Sequence, residues 1–299
     1  MSNITVAQCL QLSSELESIS DSARLDVELI LCNVLQKNRT WLFTWSDKNL
    51  TAEQQQLFNE FFSRRKSGEP IAHIIGQREF WSLPLSVNNS TLIPRPDTEL
   101  LVELVLELFA ADEPQKKRRC LDLGTGTGAI VLAIASEKPD WQLFGVDKSA
   151  DAIALAEKNR AALQFNQVTM LQSDWFAALS LHADETAVQQ FDVIVSNPPY
   201  IDPQDPHLDQ GDVRFEPRSA LIADNKGLAD IELIIQQGWD YLCPQGWLLL
   251  EHGYDQSVAV RDLLRARGFV QIETRFDLGG NERVSFGKKD VVGRKGAAE

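Results

Sequence analysis

Hydrophobic positions divide the chain into a helical front part and a longer remainder in which strand and helix signals alternate. Between residues 4 and 66 apolar side chains recur at helical spacing, with Leu25, Leu29, Cys32 and Leu35 on one stripe and Leu57, Phe61 and Phe62 on another. This predicts a small helical bundle. Asp21 is placed to cap the second helix, and Thr51 with Gln54 has the spacing of a capping box. Residues 38–48 are left as a connector carrying Trp41 and Trp45, each suited to a core or to a partner surface. From 68 to 96 the texture changes: Gly68, Pro70, Gly76, Pro84, Pro94 and Pro96 punctuate short β-type pieces such as 79–85.

Beyond this punctuated stretch a helix over 98–110 leads into strands expected at 119–123, 142–147, 168–172, 191–197, 246–251, 270–276 and 283–288. Helices at 128–137, 149–163, 227–242 and 256–267 fill the gaps. Such alternation predicts a mostly parallel sheet covered on both faces. Only residues 277–282 separate the final two strands, too few for a parallel crossover, so the last strand is expected to run antiparallel. The expected organisation is a helical substrate-recognition domain over 1–72, a β-hairpin and linker over 73–97, an α/β domain over 98–289 and a flexible tail over 290–299.

Composition narrows the class. The 299 residues suffice for one large α/β domain and a smaller companion, and 43% hydrophobic with 24% charged residues is ordinary for a globular protein. Disordered and fibrous classes are excluded. Glu15, Glu17, Asp21 and Asp26 interrupt the first apolar groups, and no later stretch approaches the roughly 18 uninterrupted apolar residues of a membrane span. The chain therefore reads as cytoplasmic, without membrane contact, and a monomer is expected. Cys9, Cys32, Cys120 and Cys243 form no C-x-x-C pair and the histidines show no ligand spacing beside them, so reduced thiols in apolar sites and no metal are expected. A formal net charge of −14 repels the phosphate backbone, which argues against direct nucleic-acid binding. The basic run Lys116 to Arg119 is offset by Asp112 and Glu113 and reads as a solvated loop.

Candidate chemistry begins at Asp122-Leu123-Gly124-Thr125-Gly126-Thr127-Gly128, between a strand and a helix. Glycines let the backbone approach a ligand, and a helix amino end offers free N–H groups to a carboxylate or phosphate, so Gly124, Thr125, Gly126, Thr127 and Gly128 are candidate cofactor contacts. From Gly124 to Ala129 the loop also satisfies a loose dinucleotide pattern, which keeps a nicotinamide or flavin enzyme in view. Asp147 ends the next strand, where a carboxylate accepts from both hydroxyls of a ribose. Asp174 and Trp175 end the third, where one can take an adenine amino proton and the other pack on the base. Each has a plain alternative, a helix cap for either aspartate and core for Trp175. Three consecutive strand ends beside one glycine loop favour adenosine.

At the fourth strand end, the buried run Phe191 to Ser196 feeds Asn197-Pro198-Pro199-Tyr200. A side-chain amide, two prolines without N–H groups and an aromatic ring make a rigid, acceptor-rich pocket for a planar NH2 group. Hydride transfer has no evident use for it, whereas methyl transfer from S-adenosylmethionine onto nitrogen does. In this reading the Asn197 side-chain oxygen and the Pro198 carbonyl accept the two N–H bonds, Pro199 shapes the turn and Tyr200 packs against the flat amide. Asn197, Pro198 and Tyr200 are the candidate catalytic residues, and Asn197 also borders the cofactor. The alternative is a Pro-Pro turn with Asn as its first residue.

These residues, with Ala23-Arg24-Leu25-Asp26, Ile93 to Glu99, Phe215-Glu216-Pro217, Glu251, Gly253, Gln256, Asp277-Leu278, Gly280-Asn281 and Arg283, resemble the release factor glutamine methyltransferases over nearly the whole length. The resemblance implies a Rossmann-like, seven-stranded S-adenosylmethionine-dependent methyltransferase sheet with a small N-terminal helical bundle that helps hold the substrate. It implies N5-methylation of the glutamine in the Gly-Gly-Gln motif of class I peptide chain release factors, with Asn197 to Tyr200 as the glutamine pocket. Gly124 to Gly128, Asp147, Trp175 and Asn197 fall where that family contacts its cofactor.

Competing readings are a ribosomal protein glutamine methyltransferase, a nucleic-acid amino-N-methyltransferase, a scaffold with a vestigial site and, weakest, a nicotinamide oxidoreductase. Arg95 and Glu99 suit the mouth of a site or a Pro-rich helix start equally. The acidic loop with Asp202, Asp205, Asp209 and Asp212 lacks a calcium-loop pattern and reads as solvated, with a lid or a docking point for a basic partner as the sharper alternative.

Overall fold

Apolar residues of the amino-terminal part gather into five helices: α1 (Val6–Gln11), α2 (Ala23–Leu35), α3 (Arg39–Thr44), α4 (Ala52–Lys66) and α5 (Ile71–Ile75). The structure, a computed structural model, describes residues 4–113, 116–179, 190–209 and 211–290; the tail expected beyond 290 lies outside the described residues. Its chain divides into two units, Met1–Gln77 with Pro206–Phe215, and Arg78–Asp205 with Glu216–Glu299. Among the described residues no helix is long and apolar enough to cross a membrane.

The helical unit corrects three expectations. Asp21 does not cap α2: Ser22 holds that position and turns its hydroxyl to Asp26 Oδ1 at 3.1 Å. The connector over 38–48 contains α3, whose N-cap Asn38 accepts from Trp41 N–H at 2.9 Å; Trp41 packs on the helical core while Trp45 is exposed. The buried face of α2 is Ala23, Asp26, Val27, Ile30, Leu31 and Val34, and Leu25 of the expected stripe is exposed. On α4, likewise, Phe58, Phe62 and Arg65 are buried and Leu57 is exposed.

The physical reason is a pair of charges taken inside. Arg65 Nε donates to Asp26 Oδ2 at 2.7 Å, and its Nη1 donates to the Glu69 carbonyl at 2.9 Å. Glu28, also buried, is held by Arg24 and Arg39 at 3.0 and 2.7 Å. Paired charges can sit on a packed face, so polarity there does not mark solvent. The Thr51–Gln54 capping box of α4 forms as expected.

In the second unit, β1 (Gln77–Phe80) and β2 (Leu83–Ser86) make a hairpin, followed by α6 (Glu99–Leu108). Then come β3 (Arg119–Leu123), α7 (Ala129–Glu137), β4 (Gln142–Asp147), α8 (Ala150–Leu163), β5 (Val168–Gln172), β6 (Phe191–Ser196) and β7 (Leu242–Glu251), and the chain closes with β8 (Phe269–Phe276) and β9 (Glu282–Lys289). The sheet order is β5-β4-β3-β6-β7-β9-β8. β9 lies antiparallel between β7 and β8, while β3 to β7 are parallel. β7 starts earlier than the expected residue 246, because Pro244, Gln245 and Gly246 form an irregular entry, with Gln245 at φ +66°, rather than a turn.

Both faces of β6 are covered. Val193 and Val195 enter a cluster with residues of α6 and α7, whereas Phe191 and Ile194 enter one with Ile231, Ile234, Val260 and Leu264 of the helices Ala229–Tyr241 and Ser257–Arg267. Burial on both sides explains the unbroken apolar run. It also holds the carboxyl ends of the strands at one edge, where parallel sheets place their ligands. The basic run is more structural than expected: Arg118 bridges Asp112 and Asp192 at 2.8 and 2.6 Å.

Removing Asp26 would leave the buried Arg65 with only Asp212 at 3.6 Å and backbone carbonyls as partners. Asp26→Ala is therefore expected to destabilise the helical unit by about 3–5 kcal/mol, seen in urea unfolding monitored on the full chain.

Candidate active site

A cavity of about 490 Å³ opens at the carboxyl edge of β3, β4, β5 and β6. Its wall includes Gly124 to Thr127, Asp147, Asp174, Trp175 and Asn197, so most of the expected contacts are brought together. Pro199 is also on the wall. Gly128, Pro198 and Tyr200 are not among the wall residues.

The glycine loop is shaped by its own hydrogen bonds. Thr125 N–H donates to the Val146 carbonyl at 2.8 Å, and its hydroxyl donates to Asp122 Oδ2 at 2.6 Å. Asp122 Oδ1 is buried with no hydrogen-bond partner among the described residues, and burial pushes this carboxyl up to about 7. Gly128 serves the backbone rather than the wall: it stands at φ +83° at the start of α7, and a Cβ there would meet Leu132 at 3.0 Å.

Asp147 accepts from Gly126 N–H at 3.0 Å and from Ser149 N–H at 2.9 Å, which fixes its carboxylate at the end of β4. Burial raises its pKa, with the backbone donors Ser149, Gly126 and Lys148 opposing. Trp175 adopts φ +49°, a strained conformation for an aromatic residue, and its ring lies 3.6 Å from where a Gly124 Cβ would be. Asp230, a wall residue that the sequence did not single out, has its carboxyl pKa pushed up chiefly by burial. Asp174 pairs with Lys148 at 2.8 Å.

Asn197 Nδ2 donates to Thr98 Oγ1 at 3.2 Å, which leaves the side-chain oxygen as the acceptor end of this wall residue. Tyr200, expected against a substrate amide, instead packs on the second core cluster and donates its hydroxyl to Glu251 Oε1 at 3.2 Å. Burial and the neighbouring Glu251 push that phenol's pKa up. Pro198 is buried in the turn. Gln256 closes the turn from behind: Nε2 donates to the Tyr200 and Lys226 carbonyls at 3.0 Å each, and Oε1 accepts from Gly253 N–H at 2.8 Å. Gly227 is required there, since a Cβ would lie 2.0 Å from the Tyr200 oxygen.

Arg95 and Glu99 acquire definite places. Arg95 is on the wall and forms a two-oxygen pair with buried Glu216 at 2.9 Å, and the same Glu216 accepts from Ile93 N–H. Glu99 accepts from Trp81 N–H at 2.8 Å and so anchors the β1–β2 turn.

The wall chemistry decides what the cavity can hold. Its two cations are committed, Lys148 to Asp174 and Arg95 to Glu216, while Asp147 and Asp230 add further negative charge. The wall suits a cationic nucleoside such as S-adenosylmethionine: Asp147 and Asp230 are carboxyls on it, and Trp175 lies beside the glycine loop. The described residues hold no cluster of three or more metal-binding side chains.

A sheet of this order, with a glycine loop and an Asn-Pro-Pro-Tyr turn at its carboxyl edge, defines a Rossmann-like methyltransferase. Residues 10–76 match the PrmC N-terminal domain family and residues 114–258 a methyltransferase domain family. The release factor glutamine methyltransferase of Shewanella oneidensis is 51% identical over 95% of this chain and 96% of its own length. That of Escherichia coli is 52% identical over 90% and 93%. Among solved structures, a methyltransferase from Pyrococcus furiosus aligns with a TM-score of 0.51 at 15% identity over 78% of this chain and all of the other, which shows the shared fold. The chain belongs to the release factor glutamine methyltransferase family.

Because Gly128 combines a left-handed backbone with contact to Leu132, Gly128→Ala is expected to cost about 1–2 kcal/mol of stability, read as a lowered thermal midpoint.

Proposed function

We propose that this protein transfers a methyl group from S-adenosylmethionine to the side-chain amide nitrogen of the glutamine in the Gly-Gly-Gln motif of class I peptide chain release factors, in the cytoplasm. The observation that carries the proposal is the Asn197 amide, fixed through its nitrogen by Thr98 and left with an acceptor oxygen on the cavity wall. Family membership supports the substrate assignment.

When bound, S-adenosylmethionine supplies an electrophilic methyl on a sulfonium. The protein must make a poor nucleophile face it. An amide lone pair is delocalised, and holding both N–H bonds by acceptors orients the nitrogen and favours charge developing on it. Asn197 Oδ1 is the acceptor on the wall in this proposal, and the Pro198 carbonyl, of a residue off that wall, is the second. Tyr200 and Gln256 hold the turn that presents them. No dedicated base is needed, because the nitrogen becomes strongly acidic as the new C–N bond forms and its proton passes to water.

Labelled S-adenosylmethionine offered with a release factor, its Gln-to-Ala variant, a ribosomal protein and DNA tests the substrate. Label should enter the intact factor alone; incorporation into the variant, the ribosomal protein or DNA would overturn the assignment. Asn197→Ala should keep cofactor affinity within about tenfold yet lose at least about 100-fold in turnover, since the contact matters chiefly in the transition state. Asp147→Ala should weaken cofactor binding by about tenfold or more in calorimetry; unchanged affinity would remove it from the ribose site.

A further inference from the structure

Lone apolar side chains on a protein surface need no explanation, but large ones gathered on one rim beside a substrate site do. Tyr254 is 67% exposed, Phe276 58% and Leu278 fully. They belong to two segments, the loop that leaves β7 and the end of β8 with its turn into β9. Sheet register puts both segments at the edge that carries the cavity. Ser196 pairs with Leu250, so the end of β7 lies beside Asn197; Glu251 pairs with Val284, and Phe276 with Glu282. From β6 across β7 and β9 to β8 is three strand spacings, roughly 14 Å. A partner face of about 800 Å², usual for a stable complex, spans that distance.

Both segments are held in place. The Asp277 carboxylate accepts from Asn281 N–H at 2.9 Å and from Arg283 Nε and Nη2 at 3.2 Å each, and Asp277 N–H donates to the Asn281 carbonyl at 2.9 Å. Arg283 Nη1 donates to the His252 carbonyl at 3.3 Å, and His252 N–H to the Arg283 carbonyl at 3.0 Å, which joins the turn to the loop carrying Tyr254. Gln256 fastens that loop to the Tyr200 carbonyl. Hydrogen bonds thus run from the apolar rim to the Asn-Pro-Pro-Tyr turn, and a fixed surface loses less freedom on docking than a mobile one. Asp277, Asn281 and Arg283 carry part of the family resemblance, yet none lies on the cavity wall. Their bonds within this frame account for them.

We propose that Tyr254, Phe276 and Leu278 form a docking surface for the release factor, receiving an apolar patch on the domain that presents the Gly-Gly-Gln loop. The inference rests on the reading of that glutamine as the substrate. Continuity with the cavity selects the occupant. The cofactor takes the ends of β3, β4 and β5 in this reading, so a factor with its glutamine at Asn197 lies along the other half of the same edge, over β7, β9 and β8.

The test measures methylation of an intact release factor by the full chain. Leu278→Ser and Tyr254→Ser should each raise KM for the factor about fivefold, and Phe276→Ser combined with Leu278→Ser at least about tenfold, with kcat changed less than about twofold. Leu278→Met should restore the KM of wild type. Calorimetry with S-adenosylhomocysteine and the thermal midpoint should match wild type; where Phe276→Ser lowers the midpoint, Leu278→Ser and Leu278→Asp carry the test. An unchanged KM in these variants, or a fall in kcat alone, would overturn the inference while the wild type still labels the glutamine and the substrate reading stands. A wild-type dimer in sedimentation that Leu278→Ser dissociates, with KM unchanged, would assign the rim to a second copy and overturn it likewise. A wild type that leaves the glutamine unlabelled would sink the reading and the inference together.

Discussion

An amide nitrogen becomes a usable nucleophile only when its hydrogens are held and its plane is fixed, and the proposed role of Asn197 rests on that constraint. β6 supplies the fixed point. It is buried on both faces between two apolar clusters, so the residue that follows it cannot drift. Asn197 leaves this strand with its nitrogen bonded to Thr98, and the turn behind it is tied down by Tyr200 to Glu251 and by Gln256 to the Tyr200 carbonyl. Much of the surrounding structure can be understood as support for one oriented side-chain oxygen.

The cofactor side of the cavity solves a different problem. A cationic nucleoside needs carboxylates that stay in place without cations beside all of them. Backbone N–H groups of Gly126 and Ser149 hold Asp147, so no arginine is required. Trp175 accepts a strained backbone to lay its ring over the glycine loop. The acceptor end and the cofactor end thus meet at neighbouring strand termini, where helices and sheet leave room for ligands.

Most of the sheet was legible in the sequence, because its strands are continuous apolar runs bounded by glycine, proline or aspartate; β3, β4 and β5 occupy the expected ranges. That Gly124 to Thr127, Asp147, Asp174, Trp175 and Asn197 lie on one cavity wall was legible for the same reason, since they stand at neighbouring strand ends. The helical stripes were misread where Asp26, Glu28 and Arg65 sit inside as partners, a pairing that periodicity does not reveal. Thr98 and Glu251 were noted only among the residues that carry the resemblance, because their bonds to Asn197 and Tyr200 join segments far apart in the chain. Tyr200 was identified as important, but its direction, into the core rather than onto the wall, is a matter of packing.

The central claim is that the cavity orients one glutamine carboxamide for methyl transfer. Tandem mass spectrometry of a release factor after reaction with this protein and S-adenosylmethionine addresses it most directly. The account predicts a single added methyl on the side-chain nitrogen of the Gly-Gly-Gln glutamine. A methyl found on a lysine, a carboxylate or the polypeptide terminus, or none on that glutamine, would contradict it.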